Sequence, residues 1–287
     1  MEMANNLRIA QRGAYISLVT YIILSILKFV VGTTYNSSAL KADSLNNLTD
    51  IFVSVAVLIG LKISIKPADK NHPYGHMKTE NITTLIVSFI IMFVGIEVIS
   101  SNIPKLLQGD YSEPSTLTIW VSFISGIIMI LVYLFNWKLA IKTKSTSLKS
   151  AAKDNLSDAL VSTGTGIGLI FTQFGLPIID IILAVILGFI IVYTGFTIFK
   201  ESIFTLSDGF HEKDLNNYIE EIENIEGVLD VPSIKGRYHG NSVFLDVTII
   251  VDKDLTLDEA HDICDLVEQQ LKEAGAYSSY VHPEPNL

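Results

Sequence analysis

The chain has 287 residues, of which 49% are hydrophobic and 17% charged, and its formal net charge at pH 7 is −10. This composition, with a mean hydropathy of +0.43, excludes an ordinary soluble domain and is typical of a helical membrane protein. The single cysteine, Cys264, excludes an intrachain disulfide and a structural zinc site built from thiolates.

Six apolar stretches are long enough to cross a membrane as helices. They lie near residues 14–33, 38–62, 82–104, 116–137, 148–172 and 177–199, within a predicted first domain of residues 1–208. Basic residues predict the orientation of these spans, because they concentrate on the cytoplasmic side of a membrane protein. Lys105 is the only basic residue in the loops on the opposite side. The N-terminus and the loops between spans 2 and 3 and between spans 4 and 5 hold Arg8, Arg12, Lys62, Lys66, Lys70, Lys78, Lys138, Lys142 and Lys144. We therefore expect a multi-pass protein of the cytoplasmic membrane with both termini in the cytoplasm.

The second predicted domain, residues 209–287, is soluble in character and carries 17 acidic and 5 basic side chains. Apolar spacing predicts a helix over 213–225, and strands are expected over 242–251 and 277–282. Between these strands, Thr256 and Glu259 form a capping box that opens a helix over 257–273. The negative charge excludes nucleic acid as a partner. The fold class that we predict is a membrane all-α six-helix bundle followed by a small α+β cytoplasmic domain.

Two of the spans carry polar side chains where charge is costly. Asp43 and Asn47 lie four residues apart in span 2, as do Asp154 and Asp158 in span 5, so each pair shares one helix face. A carboxylate at the centre of a bilayer costs roughly 2.5–3.5 kcal/mol, so such groups usually have a function. We interpret the four side chains as one ion site, and a purely structural role between helices is the alternative.

Two further groups of residues could act on ions. Asp50 follows Asp43 by seven residues on nearly the same helix face, where it could relay protons or pair with another helix. In the loop between spans 2 and 3, Asp69, His72 and His76 place a carboxylate and two imidazoles within eight residues. These ligand types suit a second divalent metal ion.

The motifs resemble those of the cation diffusion facilitators, which are six-helix secondary transporters with a ferredoxin-like cytoplasmic domain. The resemblance covers almost the whole chain and includes both polar pairs of spans 2 and 5. It also includes the loop His72-Pro73-Tyr74-Gly75-His76-Met77-Lys78-Thr79-Glu80, which is similar to the HxxGHxKxE loop of the family. The resemblance implies transport and not enzyme chemistry, and neither a nucleophile-base constellation nor a phosphate-binding loop is visible.

The resemblance also implies roles that the patterns alone do not. These are a salt bridge between the protomers of a homodimer (Lys78, Asp208), a metal site in the cytoplasmic domain (His261, His282, Glu284) and proton transfer at the start of span 6 (Asp180). Pro232 and Thr248 stand where two further cytoplasmic ligands would be expected, which argues against a complete two-metal site.

The chemistry of the intramembrane site favours manganese. Zinc-type members of the family usually carry aspartate in place of Asn47 and histidine in place of Asp154, and all-oxygen ligand sets suit Mn²⁺ better than Zn²⁺. Because protons compete with metal for buried carboxylates, we expect a metal/proton antiporter that exports Mn²⁺ from the cell by secondary active transport. The alternatives are export of Fe²⁺, Co²⁺ or Zn²⁺, and a membrane-bound metal sensor or scaffold that moves no ions. A passive channel is disfavoured, since a chelating site binds too selectively for fast conduction.

Overall fold

A computed structural model describes residues 2–143 and 146–286, without the side chains of residues 2–11, 146 and 147. Three residues used in the sequence analysis therefore lie outside the described part: the side chain of Arg8, the loop cation Lys144, and Leu287 at the end of the second predicted domain. Over the described residues, eight helices and three strands follow one another.

The first six helices coincide with the apolar stretches. They are α1 (Glu2–Thr34), α2 (Ser38–Ser64), α3 (Thr79–Gln108), α4 (Thr116–Thr143), α5 (Thr146–Thr172) and α6 (Ile178–Leu206). Within the described ranges, all of them except α5 are long and apolar enough to cross a membrane. α5 has 27 residues, enough for about 40 Å of helix. Its mean hydropathy is lowered by Asp154, Asp158 and several Ser, Thr and Gly residues, so its polarity and not its length sets it apart.

The chain divides into two compact units. The first comprises residues up to Val55 together with Val87–Thr197, and the second comprises Ala56–Ile86 and the residues from Ile198 onward. The second unit therefore contains the loop between α2 and α3 and the adjoining ends of α2, α3 and α6, in addition to the C-terminal segment.

In the first unit, α4 packs along α5, and α1 contacts both of them. Tyr21 and Leu24 of α1 pack against Met129 of α4 and Ala159 of α5. The buried side of α1 is a stripe at helical spacing, in which every residue is at most 7% exposed: Ser17, Tyr21, Leu24, Ser25 and Lys28. Four of these five side chains are polar, so α1 brings hydrogen-bonding groups into the interior of the bundle.

In the second unit, α7 (Glu212–Glu223), β1 (Asp230–His239), β2 (Ser242–Val251), α8 (Leu257–Glu273) and β3 (Ser278–Pro285) form a small α+β domain. The strand order is β1-β2-β3, with β1 antiparallel and β3 parallel to β2. One face of the sheet carries Leu245, Val247 and Ile249, which pack with Ile222 of α7 and Val267 of α8. The fold class predicted from the sequence is therefore confirmed.

The predicted elements of this domain agree with the structure except at one strand. β2 and α8 have the predicted bounds, and the capping box of Thr256 and Glu259 is present. β1 was missed by the sequence analysis because Pro232 and Gly236 interrupt its pattern, and both residue types are depleted in strands. The β1–β2 register shifts between Asp230 and Ser233, so the proline lies at an irregularity of the ladder.

Candidate metal site

Three of the four intramembrane candidates lie in the interior of the first unit. Asp43 and Asn47 of α2 are fully buried and Asp158 of α5 is 7% exposed, whereas Asp154 is exposed in the single chain. The two helices are joined directly, because Asn46 Nδ2 donates a hydrogen bond of 3.1 Å to Asp158 Oδ1. The polar pairs of α2 and α5 therefore lie near one another, with Asp154 at the edge of the group.

The carboxylate of Asp43 is paired with a lysine. Lys28 Nζ of α1 lies 2.9 Å from Asp43 Oδ2, and neither side chain has any exposed surface. The same ammonium donates a hydrogen bond of 2.7 Å to Ser162 Oγ of α5, and Ser162 in turn donates to Asp43 Oδ1 at 3.4 Å. A buried ion pair needs both partners, because removing one leaves the charge of the other buried and uncompensated.

The carboxylate of Asp158 is held by a tyrosine. Tyr21 Oη donates a hydrogen bond of 2.6 Å to Asp158 Oδ2 and also lies 3.0 Å from Asn155 Oδ1. Asn155 and Asn136 each donate to Ser17 Oγ, at 3.1 and 2.7 Å. The contributions of Tyr21, Ser17 and Asn155 were not predicted from the sequence. The polar spacing along α1 could have indicated Tyr21 and Ser17, and the position of Asn155 between the two aspartates of α5 could have indicated the third.

Asn47 and Asp50 carry buried polar atoms that the described residues leave without a hydrogen bond. Both amide atoms of Asn47 and the Oδ2 atom of Asp50 are of this kind. Such groups are rare, since an unpaired buried donor or acceptor costs about 1–3 kcal/mol. A buried amide oxygen that has no partner among the described residues, one helical turn from the carboxylate of Asp43, is suited to binding a cation.

Asp180, at the start of α6, holds the N-terminus of α2. Its carboxylate accepts hydrogen bonds from Ser37 Oγ and the backbone N–H of Ser38, both at 2.7 Å, and from the backbone N–H of Ala39 at 3.0 Å. The first backbone N–H groups of a helix have no partner within the helix, and a carboxylate satisfies them well. These contacts explain why Asp180 is buried.

In the second unit, Asp69, His72 and His76 come together in the loop between α2 and α3. Their ligand atoms lie within 4.8 Å of one another, and no other His, Cys, Asp or Glu side chains in the described ranges form such a group. His72 Nδ1 lies 3.1 Å and His76 Nε2 3.6 Å from the Asp69 carboxylate. The backbone N–H of His72, together with that of Asn71, lowers the pKa of Asp69 below its usual value. An ionised carboxylate beside two imidazoles suits a divalent metal ion.

Lys78 and Asp208 form an ion pair within one chain. Lys78 Nζ lies 2.7 Å from Asp208 Oδ1, and this hydrogen bond lowers the pKa of the Asp208 carboxyl. The resemblance implied a bridge between two protomers, whereas in the structure the two residues pair within one chain, inside the second unit. Its role in a dimer stays a prediction.

The three cytoplasmic-domain candidates are exposed, and His261 has a different acidic neighbour from the other two, which lie beside each other. His261 Nε2 lies 3.9 Å from Asp265 Oδ1, and His282 Nε2 lies 3.9 Å from Glu284 Oε1. His261, on α8, does not join the other two residues in a ligand group within the described chain.

Comparison with known proteins matches the chain to two family models. The first, "Cation efflux transmembrane domain", covers residues 14–207, and the second, "Cation efflux protein, cytoplasmic domain", covers residues 210–286. The manganese efflux system protein MneS of Bacillus subtilis (strain 168) is 44% identical over 99% of this chain and 99% of MneS. The uncharacterized transporter YdbO of the same organism is 44% identical over 100% of this chain and 99% of YdbO. The magnetosome protein MamM of Paramagnetospirillum magneticum is 30% identical over 88% of this chain and 81% of MamM.

Proposed function

We propose that this chain, which belongs to the cation efflux family of membrane transporters, exports a divalent metal ion, chiefly Mn²⁺, in exchange for protons. The observation that carries the proposal is the burial of Asp43 and Asn47 on α2 and of Asp158 on α5, in a bundle where Asn46 of α2 donates a hydrogen bond to Asp158. Buried carboxylates on facing helices of a membrane bundle are costly unless they bind ions or partner charges.

The ligand chemistry supports manganese as the substrate. Asp43, Asn47, Asp154 and Asp158 supply only oxygen atoms, which suit Mn²⁺ better than Zn²⁺. The amide of Asn47, which has no partner among the described residues, would then act as a neutral oxygen ligand. MneS is named as a manganese efflux protein, and its 44% identity to this chain supports the same substrate. Fe²⁺, Co²⁺ and Zn²⁺ are the alternative cargoes.

Proton exchange follows from the same carboxylates. A metal ion binds the ionised form of Asp43 and Asp158, so protons and metal compete for the same oxygens. Alternating exposure of the site to the two sides of the membrane would couple metal export to proton entry. Asp50 lies on the same helix with a buried oxygen that no described residue binds, so it is the candidate for a proton relay.

We infer the membrane topology and the oligomeric state from the sequence, the helix bounds and the family match. α5 crosses the membrane with the five apolar helices, because its two aspartates then line the ion path. Both termini lie in the cytoplasm, and the boundary between the domains falls near residues 208 and 209, between the ends of α6 and α7. The chain acts as a homodimer, which the match of residues 210–286 to the cytoplasmic domain of this family supports.

Two further metal sites are proposed with different support. The loop group of Asp69, His72 and His76 has ligand geometry within one chain, so we propose that it binds a divalent ion. His261 and the pair of His282 and Glu284 would have to meet ligands of a second protomer to bind metal. Binding at either place would regulate transport and would not replace the intramembrane site.

The proposal is tested by flux into proteoliposomes that contain the full chain. Uptake of Mn²⁺ under an imposed pH step is compared with uptake of Zn²⁺, while an internal dye reports proton movement. Asp43→Ala and Asp158→Ala should abolish uptake, and Asp110→Ala, which removes an exposed loop carboxylate, is the matched control. Unchanged flux in the first two variants would favour the sensor or scaffold, and equal Zn²⁺ and Mn²⁺ uptake would contradict the choice of metal. Flux that neither depends on the pH step nor moves protons would contradict antiport.

A further inference from the structure

Lys28 has an unusual environment for a lysine. Among the described residues it is the largest side chain that is less than 2% exposed, and it is the last member of the polar stripe of α1. Burying an ammonium away from water is expensive even when a partner charge is present. Its position therefore requires an explanation beyond packing.

The partner of Lys28 is one of the proposed metal ligands. The ammonium lies 2.9 Å from Asp43 Oδ2, and this oxygen accepts no well-aligned hydrogen bond from the described residues. It is held mainly by charge, which is also how a metal ion would hold it. The other oxygen, Oδ1, receives only the long 3.4 Å bond from Ser162 within the part of the chain that the structure describes.

This inference rests on the proposed transport site. We propose that the Lys28 ammonium is a tethered cation that occupies Asp43 when no metal is bound, and that an incoming divalent ion must displace it from this carboxylate. Two positive charges at the distance of a metal–oxygen contact repel strongly where water is excluded. Lys28 and the metal therefore compete for Asp43 and do not share it.

The competition has two consequences for transport. A monovalent cation gains no more from Asp43 than the ammonium already does, so only an ion of higher charge can replace Lys28 at this carboxylate. When the ammonium returns to Asp43, it also favours release of the metal, because it replaces the positive charge that had balanced the carboxylate. Ser162 Oγ, 2.7 Å from Nζ, gives the ammonium a neutral partner while the metal is bound.

The test measures Mn²⁺ binding to the full chain in lipid nanodiscs by titration calorimetry. Lys28→Met and Lys28→Gln remove the charge, Lys28→Arg keeps it, and Asp158→Ala identifies the heat that the transport site contributes. Lys41→Met removes a charge from an exposed position two residues before Asp43 and is the matched control. If Lys28 competes with metal, both uncharged variants bind Mn²⁺ about tenfold more tightly, because a repulsive unit charge near the ligand is gone. The arginine and Lys41 variants should stay near the unmodified value.

Transport provides the second measurement. The uncharged variants should release Mn²⁺ more slowly and show lower flux at saturating metal, whereas general damage to the site would weaken binding. Binding that is unchanged or weaker in folded Lys28→Met and Lys28→Gln proteins would overturn the inference. If neither variant folds, reductive methylation of Lys28 in the unmodified protein, read by mass spectrometry, replaces them. Metal should then increase labelling of Lys28, and labelling that Mn²⁺ does not change would overturn the inference.

The outcome separates this inference from the proposed function. A chain that neither binds nor transports Mn²⁺ when unmodified contradicts the function itself. A chain that does both, with binding that is insensitive to the charge at position 28, contradicts only the role of Lys28.

Discussion

Tyr21 of α1 donates a 2.6 Å hydrogen bond to one oxygen of Asp158, while Asn46 of α2 donates a 3.1 Å bond to the other. Asp158 itself belongs to α5, so this one carboxylate joins three helices in the interior of the first unit. Lys28 and Ser162 connect the same three helices through Asp43. Ion binding at these carboxylates would therefore act directly on the packing of α1, α2 and α5.

We expect Tyr21→Phe to weaken Mn²⁺ binding by about tenfold, because hydrogen bonds to a ligating carboxylate orient it for the metal. The tyrosine is a neutral donor, so it does not repel the metal as the Lys28 ammonium would. The change is measured by titration calorimetry on the full chain. Tyr15→Phe, at a position that is 65% exposed on the same helix, should bind as the unmodified protein does. Equal affinity of all three proteins would mean that Tyr21 does not orient the ligand.

A second prediction concerns Asp180. Asp180→Ala should lower stability by about 1–2 kcal/mol, because the first N–H groups of α2 lose their acceptor. Asp180→Asn keeps one acceptor oxygen and should be affected less. Thermal unfolding of the solubilised protein, followed by intrinsic fluorescence, gives the order of the three midpoints.

The asparagine variant also tests the relay role that the family resemblance implied. An amide cannot take up a proton, but it can keep part of the helix cap, so we expect Asp180→Asn to retain most Mn²⁺ flux under a pH step. A stable asparagine variant without proton-coupled flux would instead support proton transfer at Asp180.

A third prediction concerns the choice of metal. Asp154→His should raise uptake of Zn²⁺ relative to Mn²⁺, because an imidazole nitrogen favours zinc. Asp154 is exposed in the single chain, so the substitution should not disturb the buried core. Asp154→Asn removes the charge without adding an imidazole nitrogen and is the control. The ratio of the two uptake rates is the readout, and an unchanged ratio in the histidine variant would remove Asp154 from the ligand set.

A fourth prediction uses Cys264 on α8 as a probe of the second unit. Cys264 is 5% exposed as a residue, and burial, with the nearby carboxylates of Glu268 and Asp265, raises the pKa of its thiol above the usual value. Less thiolate is therefore present at neutral pH, and alkylation should be at least about tenfold slower than at an exposed cysteine. The control is Cys264→Ala combined with Ser278→Cys, which places the thiol at an exposed position at the start of β3. Labelling of native Cys264 as fast as in this control would contradict the described packing of α8.

Local patterns predicted most of the elements. Strand β2 and helix α8 were predicted with their observed bounds, since alternation and a capping box are signals that neighbouring residues carry. Strand β1 was missed because its Pro232 and Gly236 oppose a strand locally, and only pairing with β2 compensates for them. Interactions between elements thus override weak local preferences.

The candidate site divides in the same way. The sequence by itself determined that carboxylates and an amide lie four residues apart on α2 and α5, because helical spacing fixes which residues share a face. Only the tertiary structure decided that Lys28 and Tyr21 of α1 contact these carboxylates, that Asp154 lies at the edge, and that Asp180 caps α2. The reason is that a partner on another helix depends on how the helices rotate and pack, and the spacing of residues within one helix carries no information about that.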